Sequence, residues 1–134
     1  MEEGLFNKSK IIEYWLKSSD EDFETMLIMF ENKKYSWSLF IGHLMIEKLL
    51  KAVYVGKKNN HPPFTHNLLR LAQNCSLTIN EVDKEFYATV TAFNIIGRYD
   101  DYKMSFHQIC TKEFAESWIE KIKEKRKWIK EQMK

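Results

Sequence analysis

A chain of 134 residues that is 44% hydrophobic and 14% aromatic has the size and composition of one ordinary domain, which excludes a disordered chain. Four glycines and two prolines are too few for the many tight turns of an all-β fold and favour a few long helices. The formal net charge of +2 is unremarkable, but residues 121–134 hold seven Lys/Arg against two Glu.

The opening MEEGLFNKSK is acidic at its start and has no apolar core, so it does not read as a secretory signal. The spacing predicts a helix from about Ser9 to Asn32, in which Ile12, Trp15, Leu16, Phe23, Met26, Leu27 and Phe30 recur at three- and four-residue steps. SSDED at 18–22 resembles an N-cap followed by acidic first-turn residues, so a kink or restart is expected there. ENKKY at 31–35 is a turn. A second helix, Ser36 to Val55, is apolar around nearly its whole circumference. Such a helix sits at the centre of a bundle, or completes its burial against another subunit.

GKKNNHPPFTH at 56–66 reads as a loop, because Pro62-Pro63 cannot continue a helix. Thr65 is the expected N-cap of a short helix through Leu68, Leu69, Leu71 and Ala72. Asn80 caps the next helix, which carries Val82, Phe86, Val90, Phe93 and Ile96 on one face and stops at Gly97. The following GRYDDYKMSFH, residues 97–107, is expected to be a connecting loop. Thr111 caps a last helix whose stripe is Phe114, Trp118, Ile122, Ile129 and Met133. The expectation is one all-α domain over residues 1–134, an up-and-down four-helix bundle with an additional short helix.

The most apolar stretch, residues 37–56, is interrupted by His43, Glu47, Lys48 and Lys51, which argues against a membrane span. Cys75 and Cys110 form neither a CxxC pair nor a zinc-ligand spacing, and two lone thiols fit a reducing, cytoplasmic compartment. A di-iron bundle needs Glu-x-x-His on two helices, and that motif is absent, so no metal or cofactor is expected.

Three groups of residues carry chemistry. His43, Glu47 and Lys51 share one face of the second helix, either as a hydrogen-bonded ladder or as the polar lining of a ligand cleft. His66 lies beside the short helix's start, where it orders the loop or meets an anion. The basic end of the last helix is either a solvated face or an arm that meets phosphate backbone.

SSDEDFETMLIMFENKKYSWSLFIGHLMIEKLLKAVYV, then HPPFTHNLLRLA, then RYDDY, resembles the HEPN domain family (higher eukaryotes and prokaryotes nucleotide-binding) from about Tyr14 to Trp128. The most specific portion is HLMIEKLLKA, residues 43–52. The resemblance implies a helical bundle that commonly forms a homodimer. Many members pair with a minimal nucleotidyltransferase in a toxin–antitoxin module. It also implies a candidate nucleotide- or RNA-phosphate-binding set: Arg98, Tyr99 and Asp100, with Lys48 and His66. Some members are metal-independent ribonucleases whose motif is Arg, four to six residues, then His. There the arginine holds the scissile phosphate and the histidine moves protons.

This chain departs from that motif. Eight residues separate Arg98 from His107, and Tyr99 replaces the small polar group after the arginine. Arg98-Tyr99-Asp100-Asp101 resembles instead an Arg-Tyr-x-Asp variant. Arg98 therefore has three readings: a structural salt bridge, a nucleotide or phosphate contact, or catalysis with His107. The leading expectation is a dimeric binding module, and a ribonuclease toxin using Arg98 and His107 is the alternative.

Overall fold

The computed structural model describes residues 6–98 and 100–134; the side chains of residues 97–103 lie outside the described part. Among the described residues there are six α-helices and no strand: α1 (Lys8–Glu31), α2 (Tyr35–Lys58), α3 (Leu68–Asn74), α4 (Glu81–Arg98), α5 (Asp100–Ile109) and α6 (Lys112–Glu131). They pack as the expected all-α bundle, with α1, α2, α4 and α6 as its long members.

Helix starts follow local chemistry. The side chains of Asn7, Asn67 and Thr111 accept the backbone N–H three residues on, at 3.1 Å in each case. Asn80 and Asp83 each accept the other's N–H, at 2.8 and 3.0 Å, a reciprocal cap at the start of α4.

Several boundaries differ from expectation. Helix α1 runs through 18–22 unbroken, because Ser19 is buried and its hydroxyl donates to the Met45 carbonyl of α2 at 2.9 Å. Helix α2 continues to Lys58 and ends at Asn59 in the left-handed region, φ 54°. The cap of α3 is Asn67 rather than Thr65, whose hydroxyl instead accepts the Asn67 N–H at 3.1 Å.

The largest correction concerns residues 97–107. Helix α4 includes Gly97 and ends at Arg98, and α5 occupies the stretch read as a loop. A glycine costs a helix only about 1 kcal/mol, which packing overrides. Buried Phe106 supplies that packing for α5, stacked on Phe93 with ring centroids 5.4 Å apart.

Helix α2 is the innermost element. It packs against α1, α3, α4, α5 and α6, and its Leu39, Met45, Ile46, Leu49 and Leu50 are fully buried within the single chain. Its apolar circumference is thus covered by its own bundle. Gly42 marks the tightest approach: a Cβ there would meet Ile122 Cδ1 at 3.0 Å and Met26 Sδ at 3.1 Å. On the α1 side, Ser38 returns the bond of Ser19 by donating to the Met26 carbonyl at 2.9 Å. Among the described residues no helix is long and apolar enough to cross a membrane.

Candidate functional site

The HLMIEKLLKA segment forms the middle of α2, and its four-residue spacing puts His43, Glu47 and Lys51 on one face. All three are buried. Glu47 accepts from Lys51 Nζ at 3.0 Å through one carboxylate oxygen and from His66 Nδ1 at 2.8 Å through the other. His43 Nε2 donates to the His66 backbone carbonyl at 2.9 Å. One residue of the loop is therefore held twice, by ring and by backbone. The next anchor comes from α4, where the Thr91 hydroxyl accepts the Leu68 N–H at 3.0 Å.

These contacts make the row a hydrogen-bonded ladder, and they also orient a side chain. Because Nδ1 of His66 must donate to the carboxylate, the neutral ring carries its proton there and leaves Nε2 as the acceptor. The His66 side chain is 55% exposed. Lys51 is screened on its far side by the Trp15 ring, whose centroid is 5.0 Å from Nζ.

A second cluster lies at the start of α2. Its N-cap, Lys34, makes no side-chain capping bond at the positive end of the helix dipole. Lys33 and Lys34 are exposed there, Lys33 at a positive φ of 64°. Ser36 is buried, with its hydroxyl 3.3 Å from Nδ1 of exposed His107 on α5. Trp37 is 39% exposed and meets Phe40 edge-to-face at 6.1 Å.

Helix α4 arrives at this same end. Thr91 lies level with the His43–Glu47 turn of α2, and Cys75, which follows α3, bonds the Leu50 carbonyl further along α2. Helix α4 therefore runs antiparallel to α2. Seven residues beyond Thr91, a rise of about 10 Å, α4 ends at Arg98 near the first turns of α2. His107 sits seven residues into α5, again a rise of about 10 Å.

The residues nominated from sequence thus fall in three places. His107 lies at the α2 start, and α4 runs toward that end before it stops at Arg98. The side chains of Arg98 and Asp100, and Tyr99 as a whole, lie outside the described residues. His66 sits at the level of Glu47, eleven residues and roughly 16 Å along α2 from Ser36. Lys48 turns to another face and pairs with Asp22 of α1 at 2.8 Å. Ser36, Trp37, Lys33 and Lys34 were not nominated. Their signal is a helix start after two lysines, with no Ser, Thr, Asp or Asn in the capping position.

Among the described residues no three His, Cys, Asp or Glu side chains converge to hold a metal ion. A groove of about 740 Å³ lies between α4 and α6 and is floored by Phe86, Trp118 and Trp128. Lys121 and Lys125 of the basic last helix line it, and Lys48, His66 and His107 do not.

The HEPN domain family model matches residues 12–132. No curated protein and no solved structure matches the chain significantly. A family match over nearly the whole length, on a bundle whose HLMIEKLLKA and THNLLRLA segments interlock through Glu47 and His66, places the chain: it belongs to the HEPN domain family.

Proposed function

We propose that this HEPN protein is a nucleotide- or RNA-phosphate-binding module that acts as a homodimer and pairs with a minimal nucleotidyltransferase in a toxin–antitoxin type system. The observation that carries the binding reading is the start of α2. It joins the positive end of the α2 dipole, Lys33 and Lys34, the Ser36–His107 pair and the direction of α4, which ends at Arg98. A phosphate group takes that helix end and the cations, and the partly open face of Trp37 takes a base. Tyr99 and Asp100 follow Arg98 directly in the sequence. His66 and Lys48 are too far along α2 to touch that phosphate, and Glu47 holds His66 for a neighbouring contact.

The dimer reading is supported at that same end, where Trp37, Ile95, Met104 and Ile109 leave large apolar side chains exposed. It does not rest on the middle of α2, which one chain covers.

Calorimetric titration with mononucleotides and short RNAs tests the binding. Trp37→Ala and His107→Ala are expected to weaken it at least tenfold, and a parent protein that binds none of them would sink the reading. Light scattering coupled to size separation tests the dimer, whose mass is twice the 16.1 kDa of the chain.

The ribonuclease alternative asks Arg98 and His107 to share one phosphate. His107 lies at the α2 start, which supports it, but α5 intervenes where the family motif has four to six residues. Metal-free RNA cleavage lost in both Arg98→Ala and His107→Ala would establish it.

A further inference from the structure

The second half of α6 carries a basic ridge that shares no residue with the cluster at the start of α2. Lys123, Lys127 and Lys130 follow at steps of four and three residues, so they share one face over about 10 Å of helix, and Lys134 follows just beyond its end. With Arg126 they line a groove of about 400 Å³ against Phe23 of α1. Acidic neighbours answer this charge only in part. Arg126 and Lys130 both pair with a single carboxylate, Asp20, each at 3.1 Å. Lys123 meets Glu120 at 3.4 Å in a solvent-exposed pair of little strength. Lys127 and Lys134 are exposed and enter none of the described ion pairs, against Glu131 alone in the groove.

We propose that this ridge is a contact surface for the phosphate backbone of a nucleic-acid strand. A line of cations is matched by a chain with one negative charge per nucleotide, and binding is driven by release of the condensed counterions. The alternative partner, an acidic protein surface, would need an apolar anchor at the centre of its contact. The ridge has none: its one aromatic ring, Phe23, is covered by the Arg126 guanidinium 3.8 Å above the ring centre, and no large exposed apolar side chain lines the groove. That guanidinium, 3.8 Å from the ring centre, adds a cationic group against which a base can stack. The surface is independent of the α2 start, so a nucleic acid can be held here whether or not a nucleotide binds there.

The test is fluorescence anisotropy of the full chain with a labelled, unstructured RNA of about 20 nucleotides, between about 50 and 200 mM salt. The logarithm of the affinity should fall with the logarithm of salt with a slope near −3, about −0.7 for each phosphate contact. Lys127→Gln/Lys134→Gln removes two exposed cations with no described ion pair and leaves the fold intact, which circular dichroism checks. It should weaken binding about tenfold at low salt and make the slope shallower by about 1.4. A DNA strand of the same sequence should bind through the same residues. Affinity and slope unchanged in the variant would overturn the proposal, as would a parent chain that binds no RNA. Displacement of the RNA by polyglutamate at equal charge concentration would also overturn it, in favour of an acidic protein. Mononucleotide binding at the α2 start should be untouched by the ridge variant, which separates the two readings.

Discussion

Glu47 holds the His66 ring at 2.8 Å while it is itself 5% exposed, so a carboxylate inside the bundle fixes an imidazole at its surface. Its second oxygen neutralises Lys51, which is 8% exposed. Removing one partner of a buried pair costs more than the pair contributes, because the remaining charge keeps its desolvation penalty. Glu47→Ala is therefore expected to lose about 3 kcal/mol in urea denaturation. Adding Lys51→Met should recover part of that loss. A Glu47→Ala chain as stable as the parent would show that Lys51 finds other compensation.

Acid should weaken the bundle through two surface clamps. Burial pushes the Asp20 carboxyl up, but hydrogen bonds and charge from Lys130 and Arg126 outweigh it and hold it below the ordinary 3.8. Asp83 is likewise raised by burial and lowered further by Lys125 and the Asn80 N–H. A carboxyl depressed in the folded state stabilises fully above its unfolded value and loses that contribution as pH falls through the folded one. The melting temperature should therefore drop between about pH 5 and pH 3, and less steeply in Asp20→Asn/Asp83→Asn. An identical acid limb in parent and variant would refute this.

The two cysteines should be chemically silent while the chain is folded. Burial raises the Cys75 thiol to about 11, although Lys57 and Lys58 pull it down, and burial raises Cys110 to about 12. Against an ordinary 9.0, the thiolate fraction of Cys75 near neutral pH is lower by about 100-fold. Labelling by a disulfide reagent should follow the unfolding rate, and rapid stoichiometric labelling of the folded chain would contradict it.

Gly42 should tolerate nothing branched. Ile122 and Met26 stand 3.0 and 3.1 Å from where a Cβ would be, so Gly42→Val must push α1 and α6 away from α2. Overpacking of this kind costs about 1–3 kcal/mol, readable as a fall in the urea midpoint. A midpoint at or above the parent's would mean that the three helices separate freely.

Helices α1, α2, α4 and α6 are legible in the sequence because three- and four-residue stripes dominate each of them, and the all-round apolar character of α2 marks it as the centre. Helix α5 is not. Among the described side chains of its run Asp100–Ile109 only Phe106 is a buried anchor, and the run follows a glycine, so nothing local distinguishes it from a loop. The ladder of His43, Glu47 and Lys51 is legible as a face, but its link to His66 depends on how a loop crosses α2. The Ser36–His107 contact joins residues 71 apart, and no spacing rule reaches that far.

The paired hydroxyls of Ser19 and Ser38 fix the alignment of the first two helices like two pegs. A slip of half a helical turn, about 2.7 Å, would carry both hydroxyls off those carbonyls in a dry interior, at a cost of about 1–3 kcal/mol each. Leucine pairs alone would accept several such slips. The hairpin on which the remaining helices assemble thus has one setting, chosen by two small polar side chains that grease-driven collapse could not have chosen.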